Sequence, residues 1–129
     1  MQRHMDQELA DLKARLLQMG ALVEEQIERA IAAMIDRDAV LAGQVIERDT
    51  LVNRFDVEID ETCIRLLALQ APAAGDLRFV TTAMKISAEL ERMSDLAENI
   101  CELVIYMVEG KIIRHMTPPA PPSTTLSIR

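Results

Sequence analysis

Apolar residues recur at steps of three and four along most of this chain, which is the spacing of an amphipathic helix. One stripe covers about residues 5–35, a second covers about residues 39–70, and a third continues to residue 109. The third helix begins either at Pro72, in its first turn, or after a cap at Asp76, and the pattern leaves both starts open. The larger apolar residues of these stripes, which we expect in the core, include Leu12, Met19, Met34, Val52, Ile59, Leu66, Val80, Leu90 and Val108.

Short polar or flexible segments separate the three stripes. Residues 36–38 read Asp-Arg-Asp, and Asp38 is placed as the N-cap of the second helix. Gly110 follows the third stripe, where a helix often ends on a left-handed residue. Helices of about 30 residues are about 45 Å long. Joined by short turns, they predict an all-α fold, an antiparallel three-helix bundle of long helices over residues 1–110.

The composition agrees with an all-α fold, and residues 111–129 differ from the rest of the chain in their high proline content. The chain has 8 Met but only 2 Phe, 1 Tyr and no Trp, whereas sandwiches and barrels use more aromatic and β-branched bulk. Four of its 5 prolines fall between residues 118 and 122. We therefore expect residues 111–129 to be a short segment followed by a proline-rich disordered tail.

The charge balance and the apolar runs exclude several classes of partner. The chain has 21 acidic and 14 basic residues, giving a net charge of -7, and its bases are scattered. We expect no nucleic-acid partner, because such a partner needs concentrated positive charge. The apolar run at residues 103–108 is far shorter than the ~20 residues of a membrane helix, so we expect no membrane insertion. A charged N-terminus and two widely spaced cysteines predict a cytoplasmic location.

The residue groups that ordinary catalysis requires are missing from the sequence, so we expect no enzyme. The 4 glycines are too far apart for a phosphate-binding loop. His4 and His115 lie near the two ends of the chain, while Cys63 and Cys101 lie within helical patterns. No Glu-x-x-His motif of a di-iron bundle occurs.

Oxygen-bearing side chains form one stripe on the second helix and another on the third. Acids stacked a turn apart repel one another unless arginines such as Arg54 and Arg92, or a bound cation, compensate them. Hard cations prefer such oxygen ligands. So many acids also produce several pairs of this spacing by chance, and a solvated acidic face is the alternative. The candidate metal ligands are Asp49, Asn53, Asp56, Asp60, Glu91, Asp95 and Asn99.

Several longer strings occur together in a familiar order. Residues 48–53 read Arg-Asp-Thr-Leu-Val-Asn, residues 76–80 read Asp-Leu-Arg-Phe-Val, and residues 85–87 read Lys-Ile-Ser. Residues 90–100 read Leu-Glu-Arg-Met-Ser-Asp-Leu-Ala-Glu-Asn-Ile. Over about residues 1–106 the chain resembles the PhoU family, the regulators of phosphate uptake.

The resemblance implies a cytoplasmic, all-helical negative regulator of phosphate uptake and phosphate-responsive signalling. Its partners would be the ATPase of a phosphate ABC transporter and a sensor histidine kinase, which is silenced when phosphate is plentiful. The family's acid-x-x-x-Asp motifs are associated with Fe, Zn, Mg or Mn. They correspond here to Asp56 with Asp60 and Glu91 with Asp95, and Asp49, Asn53 and Asn99 are their companions. Family members carry two such repeats, whereas this sequence contains one.

Surplus apolar surface predicts a homodimer, and a second copy would also supply a second repeat. Half of the residues are hydrophobic, and some of them lie outside the main stripes. Two alternative functions stay open: a metal-binding carboxylate bundle, such as an iron protein, and a helical dimerisation scaffold whose acids only maintain solubility. The apolar residues outside the stripes are Ile31, Ile46, Ile64 and Ile86.

Overall fold

A computed structural model describes residues 2–69 and 73–110. These residues form three helices, α1 (Gln2–Asp36), α2 (Ala39–Leu69) and α3 (Ala74–Glu109), and each helix packs against the other two. The helix α2 runs antiparallel to α1 and α3. The predicted all-α bundle of three long helices is confirmed, whereas residues 111–129 lie outside the described part of the chain.

The turn between α1 and α2 uses the predicted cap. Asp38 accepts a hydrogen bond through Oδ1 from the backbone N–H of Leu41 at 3.0 Å, which satisfies one of the unpaired donors at the start of α2. Arg37, just before it, has a left-handed backbone with φ of 53°. This conformation reverses the chain within two residues and keeps α1 and α2 adjacent.

The ends of α3 follow from equally local causes. The helix begins at Ala74, after the extended Ala73, so neither predicted start is right, and Asp76 lies inside the first turn. A carboxylate there interacts favourably with the positive end of the helix dipole. At the other end Gly110 takes the predicted left-handed conformation, with φ of 69°, and its N–H donates to the carbonyl oxygen of Tyr106 at 2.7 Å.

Ion pairs between α1 and α2 all fit one antiparallel register. Each pairs an arginine on one helix with a glutamate on the other. Partly exposed pairs of this kind contribute only about 0–1 kcal/mol each, so their main effect is to favour this register over a slipped one. The pairs are Arg65 with Glu8 at 2.6 Å, Arg15 with Glu58 at 2.6 Å, and Arg48 with Glu25 at 3.2 Å.

A layer of buried polar side chains divides the core into two apolar clusters. The larger cluster includes Leu12, Met19, Val52, Ile59 and Leu66. The smaller cluster lies towards the α1–α2 turn and is built mainly of small residues: Ala30, Ala33, Ala42, Val45, Ala97, Cys101 and Val104. Every helix contributes to the polar layer between them, which consists of Gln26, Asp49, Ser87 and Ser94.

The residues at the outer ends of two predicted stripes are exposed and not part of the core. Met34 and Val108 were expected inside but are exposed, because each lies in the last turn of its helix, beyond its buried neighbours. Of the four isoleucines outside the stripes, Ile46 packs half-buried against the smaller cluster. The other three, Ile31, Ile64 and Ile86, are exposed as expected.

Candidate functional site

Two serine–aspartate hydrogen bonds join α2 to α3 in the polar layer. Ser94 Oγ donates to Asp49 Oδ1 at 2.6 Å, and Ser87 Oγ donates to Asp56 Oδ1 at 2.7 Å. The two aspartates are seven residues apart on α2, and the two serines are seven residues apart on α3. Seven residues make about two helical turns, so both bonds form only in the same antiparallel register.

Asp49 is the most deeply placed acid of this region, with 6% of its surface exposed. A buried carboxylate is costly unless hydrogen-bond donors surround it. Ser94 supplies a short bond to one oxygen, and Asn53 Nδ2 lies 3.5 Å from the other. With its amide turned over, Asn53 instead donates to Glu91 Oε1 at 3.1 Å. Asn53 therefore lies between the acids of the two helices.

Three carboxylates converge at the exposed edge of this layer. Oxygens of Asp49, Asp95 and Glu98 all lie within 4.8 Å of one another, close enough to share one cation. The donors are all carboxylate oxygens, which suit hard cations such as Mg²⁺ and Mn²⁺. Burial ranges from Asp49, inside the bundle, to Asp95, which is exposed. We call these three residues the acidic triad.

The electrostatic cost of this arrangement falls mainly on Glu91. Partial burial, followed by repulsion from Asp95, Asp49, Asp56 and Glu98, raises the pKa of the Glu91 carboxyl to about 7. Burial and the same neighbouring aspartates, Asp49 and Asp56, raise the pKa of Asp95. At neutral pH the cluster therefore holds more negative charge than its surroundings stabilise.

Arg92, one of the two arginines expected to compensate the acids, pairs with a residue of its own helix. The guanidinium of Arg92 contacts Glu89 at 3.5 Å, within α3. Three interhelical Arg–Glu pairs join α1 to α2, away from Asp49, Asp56, Glu91 and Asp95. A proton on Glu91 or an external cation would relieve the repulsion within the cluster.

The predicted ligands are not all brought together. Asp49 and Asp95 belong to the acidic triad, and Asp56, Glu91 and Asn53 lie around it. Asp60 lies at the edge, where burial and Asp56 raise the pKa of its carboxyl. Asn99 is exposed on α3.

Sequence reasoning missed three residues of the site. Glu98 was left out although it follows Asp95 by three positions, which is one helical turn. Ser87 and Ser94 were also missed, and their signal was the seven-residue spacing that they share with Asp49 and Asp56.

The two cysteines take no part in the site. Both are buried, and burial raises the pKa of each thiol to about 11, with nearby carboxylates adding to the effect. A thiol with so high a pKa carries almost no thiolate at neutral pH and is a poor nucleophile. Cys63 and Cys101 pack in the larger and the smaller apolar cluster, respectively.

Three long helices with a carboxylate cluster between two of them define an all-α bundle protein. Within residues 2–69 and 73–110, none of the helices combines the length and the hydrophobicity that a membrane span requires. A family profile described as the PhoU domain matches residues 16–104. The chain therefore belongs to the PhoU family, and the resemblance found in its motifs is confirmed.

Named relatives agree with this assignment. The "Phosphate-specific transport system accessory protein PhoU" of Serratia marcescens is 45% identical over 98 residues, covering 76% of this chain and 40% of that protein. The PhoU homolog of Pseudomonas aeruginosa is 43% identical over 102 residues, covering 79% of this chain and 42% of that protein. The chain thus spans less than half the length of these curated relatives.

A solved structure supports the fold independently. The "Crystal structure of PhoU from Pseudomonas aeruginosa" superposes with a TM-score of 0.78 and is 42% identical in sequence. The match covers 81% of this chain and 50% of that one. This chain therefore corresponds to about half of that helical protein.

We predict that Ser94→Ala lowers the free energy of unfolding by about 1–3 kcal/mol, because Asp49 would lose its closest donor while remaining buried. Ser87→Ala is the matched control. Ser87→Ala should lower the free energy of unfolding by less, because Asp56 is only half-buried and water replaces the lost donor. Urea denaturation measures both changes, and a larger loss for Ser87→Ala would contradict this description.

We predict that Glu91 makes the metal-free protein less stable as pH rises. Its folded pKa of about 7 exceeds the ordinary value of 4.5, so the folded state holds the extra proton between these limits. Stability is therefore lost from about pH 4.5 to pH 7 and is unaffected by this group below that window.

Glu91→Gln should flatten this pH dependence and raise stability at pH 8 by about 1 kcal/mol after allowance for solvent screening. The control Glu61→Gln removes an exposed carboxylate from α2 and should keep the slope. Urea denaturation in chelator-containing buffer from pH 4 to pH 8 tests this. Parallel profiles for wild type and Glu91→Gln would refute it.

Proposed function

We propose that this chain is a non-enzymatic regulator of phosphate uptake and phosphate-responsive signalling. The observation that carries the proposal is its membership of the PhoU family over residues 16–104, together with relatives named as accessory proteins of phosphate-specific transport. A bundle that presents an acidic cluster on one face is suited to act by binding other proteins.

The proposed partners are the ATPase of a phosphate ABC transporter and a sensor histidine kinase, contacted on the cytoplasmic side of the membrane. By bridging the two, the chain would keep signalling silent when phosphate is plentiful. The face formed by α2 and α3 is the proposed contact surface, since it concentrates carboxylates whose mutual repulsion contributes to the raised pKa of Glu91. A partner surface rich in basic residues would be attracted to such a cluster.

We further propose that the acidic triad of Asp49, Asp95 and Glu98 holds a divalent or iron cation. Its oxygens are close enough to share one ion, and the raised pKa of Glu91 reflects repulsion that an ion would relieve. The cation would supply positive charge and would fix the exposed Asp95 against the buried Asp49. Of the remaining predicted ligands, Asn53, Asp56 and Glu91 would surround the ion, whereas Asp60 lies at the edge of the cluster and Asn99 is exposed on α3.

Two other functions remain as alternatives. A carboxylate bundle that stores or carries iron would use the same acidic triad, but the sequence has no Glu-x-x-His motif of the di-iron bundles. A dimerisation scaffold would use the bundle only as a support, with its acids solvated. Both alternatives predict that phosphate signalling is normal when the gene is deleted.

We predict that deleting the gene derepresses alkaline phosphatase in phosphate-rich medium and causes phosphate to accumulate. Wild-type protein should restore repression, whereas the double variant Asp95→Asn with Glu98→Gln should not, because the acidic contact surface is lost. The double variant Glu47→Gln with Glu61→Gln removes two exposed acids from α2 and is the matched control. Normal phosphatase levels in the deletion strain would refute the regulatory role.

We also predict that the chelator-treated protein gains stability when Mn²⁺, Mg²⁺, Fe²⁺ or Zn²⁺ is added. Linkage gives about 2.7 kcal/mol at a hundredfold excess over the dissociation constant. The gain should disappear in Asp95→Asn with Glu98→Gln and persist in Glu47→Gln with Glu61→Gln. Thermal melting with each ion measures it. Identical melting curves with and without ions would eliminate the metal site but leave the regulatory proposal standing.

A further inference from the structure

The side of the bundle opposite α2 has an apolar groove between α1 and α3. These two helices run parallel, because both are antiparallel to α2. One part of the groove, of about 530 Å³, lies between residues 13–24 of α1 and residues 79–90 of α3. A second part, of about 260 Å³, lies between residues 27–31 and 93–100 of the same helices. We call the two parts together the α1–α3 groove.

The α3 wall of this groove has the spacing of a helix–helix contact. Apolar residues recur on it at intervals of seven along about 28 residues, which is about 42 Å of helix. A seven-residue repeat keeps one line of side chains facing a second helix. Three of the five side chains are more than 40% exposed, so this line is open to a partner. The five residues are Phe79, Ile86, Met93, Ile100 and Met107.

The α1 wall repeats in the same way. Positions 13, 17, 20, 24, 27 and 31 face the groove at alternating steps of four and three. Leu17 is 66% exposed, and Gly20 beside it leaves an open notch, since a Cβ atom there would have no heavy atom within 4 Å. Knobs and holes along two parallel walls fit a further helix. An antiparallel helix in this position would complete an up-down-up-down four-helix bundle.

Three basic side chains flank the end of the groove nearest the start of α1. Lys13 lines the groove, and Arg78 and Lys85 are exposed on the adjoining part of α3. Ser87 Oγ lies 3.6 Å from Met19 Sδ, which gives the register of α1 against α3. Six residues earlier on both helices, Lys13 is level with the turns of α3 between Arg78 and Lys85. Positive charge is therefore concentrated here, in a chain whose net charge is -7.

The charge of this surface decides which helix it fits. Acidic residues beside the apolar stripe of a docked helix would be attracted to the three bases, whereas Glu24 lines the opposite end of the same part of the groove. The α2–α3 face concentrates carboxylates instead, so it favours partners of the opposite charge. The bundle thus has two surfaces that select different partners.

We propose that the α1–α3 groove binds an amphipathic α-helix of another protein, antiparallel to α1 and α3. Its apolar stripe packs against Leu17 and Ile86, and its flanking acidic residues face Lys13, Arg78 and Lys85. The inference does not depend on the proposed role in phosphate signalling, because that proposal uses the α2–α3 face. The two proposals can therefore fail separately.

Two synthetic peptides of three heptads test the charge preference. Both have Leu at the a and d positions, with Glu at the e and g positions of one and Lys at those of the other, and both carry a fluorescein label. Fluorescence anisotropy should show that Lys85→Glu weakens binding of the acidic peptide about tenfold and strengthens binding of the basic one. The control Arg54→Glu changes an exposed base on α2 and should not weaken the acidic peptide. An acidic peptide that does not bind wild type, or changes of the same sign for both peptides, would overturn the proposal.

A charge placed within the groove tests the apolar contact. Ile86→Asp should weaken binding of the acidic peptide about a hundredfold, because it places a carboxylate in the centre of the seam. The control Ile64→Asp changes a similarly exposed apolar residue on α2 and should bind as wild type does. Circular dichroism checks that both variants are folded. Equal losses in two folded variants would contradict a contact in this groove.

Substitution of two glycines separates folding from binding. Gly20 on α1 and Gly43 on α2 both have open space where a side chain would begin. Methionine is a better helix former than glycine, so Gly20→Met and Gly43→Met should both raise the melting temperature. Only Gly20→Met fills the groove, so it alone should weaken binding of the acidic peptide, by at least tenfold. Unchanged binding by Gly20→Met would refute the proposed seam.

A second copy of this chain is the competing occupant of the groove. The stoichiometry at saturation distinguishes the two, and we expect one acidic peptide bound per 14.4 kDa chain in sedimentation equilibrium. One peptide per two chains would overturn the proposal. Exclusion of the peptide by self-association that Leu17→Asp abolishes would do the same and would assign the groove to a second copy.

Discussion

The bundle depends on a layer of buried polar side chains at its centre, and these side chains need hydrogen-bond partners. Asp49 is buried there, and a buried carboxylate is tolerated only where donors reach it. Ser94 of α3 provides that donor, and the parallel bond from Ser87 to Asp56 fits the same register. These bonds fix the register of α2 against α3 more strictly than apolar packing does. A shift of one turn along the helix axis would leave Asp49 without its closest hydrogen-bond donor.

This register has a consequence for charge. It places the acids of α2 beside those of α3, so repulsion accumulates at the exposed edge of the layer and raises the pKa of Glu91 to about 7. The structure therefore carries an electrostatic strain on one face, while α1 and α2 are joined by well-matched Arg–Glu pairs on another. A surface that is costly in the isolated bundle is the natural place for a cation or a basic partner to bind.

Much of the fold could be predicted from the sequence because its determinants are local. The three stripes predict the helices, and Asp38 and Gly110 mark two of their ends. The start of α3 was missed because Asp76 acts inside the first turn, not before it. The acid stripes predict that carboxylates of the second and third helices lie together, as they do in the structure, but Glu98, Ser87 and Ser94 were overlooked. Their roles depend on the pairing of α2 with α3, which no single helical pattern contains.

The α2–α3 register brings Asp49, Asp95 and Glu98 together, and we propose that these three residues bind a cation. The most direct measurement is a crystal structure of the protein grown with Mn²⁺ at millimolar concentration, with anomalous difference maps at the manganese edge. We expect an anomalous peak coordinated by oxygens of these three residues. Maps with no peak at the acidic triad, from crystals in which that face is free of lattice contacts, would contradict it.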